Sequence, residues 1–439
     1  MSLEPPIRVR KLQMALQEKA KASPTYRFYA LYDKLYREDV LAYAWLLCRK
    51  NGGAAGVDGQ TFEQIEAEGV EPWLDRLAEE LRNKIYRPQA VRRVWIPKPD
   101  GKQRPLGIPT IRDRVVQMAA VLVLSPIFEV DLAEEQYAYR EGRSALDAVK
   151  KVHALLKAGY TEVVDADLCG YFDSIPHHAL MKSLARRISD GAMLALLKAW
   201  LEMPVEEDDG RGGKRRTTQA KDRRRGTPQG APISPLLANL YMRRFILGWK
   251  RQGWAVRWAA HIVSYADDYV ILCRQHAQEA REQMERIMER IGLTANQEKT
   301  RICRVPEQSF DFLGYTFGRR YKPITGRSYL GTQPSTKRVQ RLLQSLSEQL
   351  GRNTQGREGK ELVALLNLRL RGWANYFCLG SVSRAYRVVD RHVRYRLRRW
   401  LCRKHKVPGQ GTTHFPDEFL RDQLGLLSLA SLTRSLPWA

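Results

Sequence analysis

The run His261-Ile262-Val263-Ser264-Tyr265-Ala266-Asp267-Asp268-Tyr269-Val270-Ile271-Leu272 sets two adjacent carboxylates between two stretches of apolar and β-branched residues. That pattern reads as strand, tight turn, strand, with both acids held at one exposed edge. Like charges this close repel and raise a pKa, and a hard divalent cation is their natural relief. Standing alone, the motif would describe an ordinary hairpin with an Asp-Asp turn.

A second acid-bearing strand lies upstream, Val163-Val164-Asp165-Ala166-Asp167-Leu168-Cys169-Gly170-Tyr171-Phe172-Asp173, followed by Ser174-Ile175-Pro176-His177 and a helix-like stretch. Phosphoryl transfer by two metal ions needs carboxylates from separate strands around the attacking and leaving oxygens. Asp165 precedes Asp167 by two on an extended strand and shares its side, so geometry keeps both in play. Between the two acid strands lies Gly226-Thr227-Pro228-Gln229-Gly230-Ala231-Pro232-Ile233-Ser234-Pro235-Leu236-Leu237-Ala238-Asn239. Further upstream is Ile96-Pro97-Lys98-Pro99-Asp100-Gly101-Lys102-Gln103-Arg104-Pro105-Leu106-Gly107-Ile108-Pro109. Lys98 and Arg104 flank the turn Pro99-Asp100-Gly101 and suit opposite strands of a hairpin. There a guanidinium could grip phosphate oxygens in pairs while the ammonium acts as a point charge. A solvated basic hairpin fits the same spacing.

Composition agrees. At 439 residues the chain is long enough for two or three domains, and 44% apolar with 28% charged residues is ordinary for a globular protein. The balance of 74 Lys+Arg against 48 Asp+Glu, a net charge of +26, points to a polyanionic partner, of which nucleic acid is the commonest. No apolar run reaches the roughly eighteen residues of a membrane span. Met1 to Arg10 lacks the apolar core of a secretory signal, so an intracellular, cytoplasmic protein without a membrane partner is expected. The six cysteines are scattered without a close pair, which suggests neither a zinc site nor a disulfide framework.

Four regions separate by pattern. Up to about Gln60, the runs Tyr29 to Tyr36 and Val40 to Leu46 read as two helices, their aromatics fitting either a core face or a template surface. Residues 61–320 alternate helical and strand patterns, and 325–406 look purely helical. The stretch Asp208 to Arg225, rich in Gly, Lys and Arg, reads as a mobile basic loop. His177 and His178 read as structural. Arg384, Arg387, Arg391, Arg394 and Arg398 recur at spacings of three and four, on one helix face opposite Tyr386, Val389, Val393, Leu397 and Trp400. From 384 to 406 ten Lys and Arg face a single acid, Asp390, which favours phosphate binding over an ordinary solvated face.

Taken in order, these motifs closely resemble the reverse transcriptases of group II introns, the intron-encoded maturases, from about Tyr26 to about Lys406. Leu370-Arg371-Gly372-Trp373-Ala374-Asn375-Tyr376-Phe377 resembles the maturase-specific thumb motif. The resemblance implies an α+β right-hand polymerase, with fingers and an antiparallel palm sheet over 61–320 and a helical thumb over 325–406. It implies an N-terminal extension over 1–60, ending near Gly56-Val57-Asp58-Gly59 and touching template and intron RNA. It leaves 407–439 as a short tail, a possible remnant of a DNA-binding segment, with no endonuclease expected.

The same resemblance implies that Asp167, Asp267 and Asp268 hold two Mg²⁺ ions, with Asp167 preferred to Asp165 because the family's pattern of Asp, four residues, aromatic, Asp starts there. Lys98 and Arg104 would meet the triphosphate, and Phe172 would exclude a 2′-hydroxyl. Gln229 would pack against the sugar, and Lys299 would lie near the leaving pyrophosphate. Phe312-Leu313-Gly314 resembles the primer grip. The implied activity is RNA-directed DNA synthesis combined with help in intron splicing and retrohoming. Its partners would be group II intron RNA, an RNA template with DNA primer, target DNA and deoxynucleoside triphosphates. A domesticated, free-standing relative in repair or defence and a non-catalytic RNA chaperone are the alternatives. Diversity-generating and retron-type enzymes share the aspartates, but do not combine Gln229-Gly230, Ser234-Pro235 and the maturase thumb.

Overall fold

The computed structural model describes residues 3–97, 101, 103–209, 213–322 and 325–433, and Lys98 lies outside them. Among these residues the strands run β1 (Val91–Pro97), β2 (Gln103–Ile108), β3 (Glu162–Ala166), β4 (Val205–Asp208), β5 (Lys214–Thr217), β6 (His261–Tyr265), β7 (Asp268–Cys273), β8 (Arg301–Arg304), β9 (Phe310–Phe312), β10 (Tyr315–Tyr321) and β11 (Ser328–Pro334). They form three sheets, ordered β2-β1-β4-β5, β6-β7-β3-β8 and β11-β10-β9.

The second sheet is the palm, antiparallel throughout. Its period-two alternation buries Val163, Val263, Val270 and Leu272 beneath helix Ala145–Lys157, while Val164, Ile262 and Ile271 pack on the other side with Met284 and Ile287 of helix Ala277–Arg290. A strand covered on both faces reads as a continuous apolar run, as Tyr269 to Cys273 does. Each such side chain contributes about 1.5–3 kcal/mol. The palm floor is therefore stiff where the acids emerge from it.

Helix Ile111–Glu129 is apolar nearly all round, with Val115, Val116, Ala119, Ala120 and Val123 at 0% exposure, so it runs through the interior. Helices Ile7–Ala22 and Glu38–Asn51 pack against it, and the first sixty residues thus share one core with the fingers and palm. Val40 to Leu46 is helical as its pattern implies, but Tyr29 to Tyr36 is not. Phe28 instead runs beside Arg187 and Ser189 (Phe28 N to Arg187 O 2.7 Å, Ser189 N to Phe28 O 2.8 Å), and only a 3₁₀ turn follows at Tyr32–Lys34. Asp190 accepts from the Leu31 and Tyr32 amides at 2.8 Å each, which fixes the bend.

Two further expectations give way. Residues 325–406 are not purely helical, because β11 pairs with β10 over Ser328–Pro334 before the thumb helices Thr336–Gln349, Gly359–Tyr376 and Ser383–Lys404 begin. The basic stretch before Gly226 is a hairpin, β4 with β5, that widens the fingers sheet and ends in the short helix Gln219–Arg223. Beyond 406 the chain folds back on the thumb, where Phe415, Leu420, Leu426 and Leu429 join its core. Buried Asp390 anchors that return, accepting from the amides of Leu429 and Ala430 at 2.8 and 2.9 Å.

Candidate active site

Pairing of Tyr265 with Asp268 leaves Ala266 and Asp267 as a two-residue turn, with Ala266 held at φ 59°. A non-glycine residue in that region costs of order 1 kcal/mol or more, met here by the packed strands on either side. Ala166 lies opposite Tyr269, so Asp167 leaves β3 beside Asp268. Asp268 keeps one side open to solvent, yet the surrounding protein, followed by the charges of Asp267, Asp167 and Asp165, pushes its carboxyl up to about 6. An open face stays hydrated, so charge repulsion is the durable part of that shift.

Lys299 Nζ donates to Asp167 Oδ2 at 2.8 Å and partly offsets the repulsion. Asp165 is committed elsewhere, accepting from Arg301 Nε at 3.2 Å, which separates it from Asp167 in a way the strand alternation alone could not. Among the described residues no three Asp, Glu, His or Cys side chains converge as a ready metal cluster. The donor set nonetheless fits a hard cation in its chemistry: all-oxygen, mutually repelling, and with an ammonium already on one member.

Beside the acids opens a cavity of about 560 Å³ whose walls include Arg104, Tyr139, Phe172, Gln229 and Arg114. The Gln229 loop is tied to β2 through the Gly107 amide, which donates to Gln229 O at 2.7 Å. Its side chain completes a relay, accepting from Arg104 Nε at 3.0 Å and donating from Nε2 to Asp173 Oδ2 at 2.9 Å. Phe172 is 8% exposed with its ring on the cavity wall, and its carbonyl accepts from the Thr227 amide at 2.8 Å. His177 is structural, its Nε2 lying 2.8 Å from Gly226 O.

Sequence reasoning missed three contributors. Asp173, read from the sequence only as the closing acid of the upstream run, braces Gln229. Arg114 donates to Pro109 O and Gly52 O, at 3.1 and 3.2 Å, and to Ala54 O, pinning the Gly52–Ala54 segment against the cavity. Tyr139, at φ 54° and 55% exposed, faces both the acids and Arg104. All three act through partners far along the chain, and no local periodicity marks them.

Leu313 and Gly314, at φ 51° and 84°, form the two-residue turn between β9 and β10, the left-handed pair that a tight hairpin demands. The thumb fastens onto this turn: Tyr376 Oη donates to Leu313 O at 2.8 Å, and the Ser335 amide donates to Gly314 O at 2.9 Å. Trp373, Phe377 and Tyr315 pack together there, with ring centroids 4.7 and 5.2 Å apart in turn. On helix Ser383–Lys404 the apolar face is buried as the spacing implies, but the basic face divides. Arg384, Arg387 and Arg391 are exposed, whereas Arg394 and Arg398 both bind Asp417, Arg394 at 2.7 Å, and Arg398 also donates to Phe415 O at 2.8 Å.

Comparison with known proteins gives the same picture. The model of the reverse transcriptase (RNA-dependent DNA polymerase) family matches residues 96–317, and that of the group II intron maturase-specific domain matches residues 339–414. Protein YkfC of Escherichia coli (strain K12) is 32% identical over 367 residues, covering 75% of this chain and 93% of that protein. The group II intron-encoded protein LtrA of Lactococcus lactis subsp. cremoris is 31% identical over 226 residues, or 50% of this chain but 35% of LtrA. The putative COX1/OXI3 intron 1 protein of Saccharomyces cerevisiae is 25% identical over 308 residues, 58% of this chain and 36% of that one. Among the described residues no helix is long and apolar enough to cross a membrane. On the acid-bearing palm, the thumb fastened to its turn and these matches, the chain belongs to the reverse transcriptases of group II intron type, RNA-directed DNA polymerases that carry a maturase-specific domain.

Proposed function

We propose that this chain extends a DNA primer on an RNA template at the β6–β7 turn, and that its thumb binds a host intron RNA to assist splicing and reinsertion. The observation that carries the reading is the placing of Asp167 at the end of β3 beside the Asp267-Asp268 turn, close enough for their charges to act on one another, next to a cavity walled by Arg104, Phe172 and Gln229. Two Mg²⁺ ions held by Asp167 and Asp267, with Asp268 assisting, would activate the primer hydroxyl and offset charge on the leaving pyrophosphate. Arg104 and Lys98 would take the triphosphate oxygens, and Lys299 would meet the developing charge on the leaving group. Gln229, braced from both ends, would hold the sugar above Phe172. Deoxynucleotide incorporation by the purified protein on a primed RNA template tests this, and inactivity in Mg²⁺ would refute it. A chaperone without catalysis has no use for this full set of acids and bases. The flanking DNA separates the remaining alternative: an intron RNA around the gene supports the maturase, its absence a domesticated enzyme.

Phe172→Val should admit ribonucleotides, raising their incorporation relative to deoxynucleotides by about tenfold or more, at a stability cost of about 1–3 kcal/mol for the lost packing. Single-nucleotide incorporation measures it, and unchanged sugar discrimination would return the ring to a purely structural role.

For the thumb, Arg384, Arg387 and Arg391 changed together to Gln should leave the melting temperature nearly unchanged, because Gln is a comparable helix former. RNA affinity should fall, and its log-log salt slope should flatten by roughly 0.7–0.9 for each phosphate no longer neutralised. Asp417→Asn should act oppositely, releasing Arg394 and Arg398 to bind RNA more tightly. Equal slopes in all three proteins would take this helix out of the RNA interface.

A further inference from the structure

The fingers sheet presents an aromatic ring that no step above uses. Trp95 on β1 is 46% exposed, whereas Trp200, Trp249 and Trp400 are fully buried. Its indole N–H donates to the carboxylate of Glu207 on β4, and Arg93 stands over the ring, 5.9 Å from its centroid. Pairing explains the arrangement. Arg93 and Trp95 alternate onto one face of β1, β4 runs parallel alongside from the pair Val91 and Val205, and Glu207 lies opposite Arg215 on β5. Arg104, paired with Ile96, belongs to the reverse face, which turns toward the nucleotide cavity. The sheet therefore has a cavity side and an outer side, and the outer side holds a tryptophan under the Arg93 guanidinium, with Arg215 two strands away on the same face.

The hairpin that supplies Glu207 and Arg215 engages three of its acids internally, while Asp208 is exposed opposite Lys214. Glu206 pairs with Lys214 at 2.8 Å, Glu207 takes the indole, and Asp209 accepts from the Gly213 amide at 2.8 Å. Arg215, Arg216, Lys221 and Arg224 are exposed, and among the described residues none has a carboxylate within ion-pair distance. Arg225 then fastens the end of the segment to the palm, donating to Ser174 O and Gly292 O at 3.2 and 2.8 Å. The result is a fixed positive edge beside an oriented aromatic face.

We propose that this outer face is a docking platform for the single-stranded RNA template ahead of the nucleotide cavity, with Trp95 stacking on a base and Arg93 and Arg215 following the phosphates. The proposal rests on reading the chain as an RNA-copying polymerase. A ring held at its edge by a hydrogen bond loses little freedom on stacking, and a lone aromatic flanked by cations suits unpaired bases, since those in a duplex already cover one another's faces. The uncopied template is the single strand in this reaction. Because β2 is at once a wall of the cavity and the neighbour of β1, a strand entering along the fingers passes this sheet.

The test compares primer–templates with the same duplex and either a short 5′ template overhang or one of about ten nucleotides, bound to the full chain. The wild type should prefer the long overhang. Trp95→Ala should lose about tenfold of that preference, while Trp95→Phe keeps most of it. Arg93→Gln with Arg215→Gln should flatten the salt slope by about 0.7 for each phosphate no longer neutralised, on the long overhang alone. Trp95 and Arg215 are exposed and Arg93 is half-buried, so melting temperatures should fall little, and the arginine pair carries the test should Trp95→Ala fold poorly. An overhang preference that survives in Trp95→Ala overturns the platform. An equal loss on both substrates also overturns it, placing the contact on duplex or folded RNA. A wild type that binds but never extends the primer refutes the polymerase reading, while the overhang comparison still judges the platform.

Discussion

Asp267→Asn should reduce primer extension by about a thousandfold or more while leaving RNA affinity within about twofold of wild type. The substitution keeps the shape of the turn and removes one negative oxygen from the proposed cation site, and metal-borne charge stabilisation is worth several kcal/mol. The residue meets no phosphate in this reading, so binding has no reason to weaken. Folding should hold, since the strands on either side of the turn are buried independently of it. Relief of the repulsion on Asp268 would, if anything, steady the turn. Extension under single-turnover conditions, alongside a filter-binding titration, measures both quantities. Extension at even a tenth of the wild-type rate would remove Asp267 from the chemistry.

Gly230→Ala should be nearly as damaging, for a reason that is geometric and not electrostatic. Gly230 sits at φ 108°, and a Cβ there would lie 2.7 Å from Gly107 O and 3.0 Å from Leu106 Cδ1. The backbone of β2 cannot yield that space without breaking the Gly107 to Gln229 bond. Gln229 would then lose its alignment between Arg104 and Asp173. Displacement of a positioning group by about 1 Å costs about a hundredfold in rate, and the strained backbone adds about 1–3 kcal/mol of local destabilisation. The effect should appear in the KM for deoxynucleotide as well as in kcat. Gly59→Ala is the control, since Gly59 shares a positive φ of 70° but has nothing within 4 Å of an added Cβ. Near-normal deoxynucleotide KM in Gly230→Ala would show that the loop does not set the nucleotide's position.

What could be read in the chain, and what could not, follows the range of the forces involved. The palm hairpin is legible because its register depends on neighbours a few residues away: apolar alternation, a turn, and two acids with nowhere else to point. The apolar face of the last thumb helix is legible for the same reason, since a period near 3.6 is written locally. Tyr29 to Tyr36 misleads because its helical pattern loses to partners at Arg187, Ser189 and Asp190. Ser328 to Pro334 carries little strand signal of its own and is extended because β10 lies ready to pair with it. The division of the arginine face depends on Asp417, which joins the helix only through the returning tail. The relay from Arg104 through Gln229 to Asp173 gathers three distant segments that no spacing rule connects.

The bond from Tyr376 to the β9–β10 turn ends on the carbonyl of Leu313, and every residue type has a carbonyl. Mutational freedom at the two ends is therefore unequal. Position 313 can drift among side chains that tolerate φ 51°, with Asn or Gly easing the backbone, and the link would persist. Position 376 has no such latitude, because only a side chain of that reach with a terminal donor can replace the phenol, and Phe would delete the link while keeping the ring. A lineage of such enzymes can thus vary the surface of this turn while the thumb stays moored to it, with the constraint borne by the residue that looks outward from a helix and not by the turn it holds.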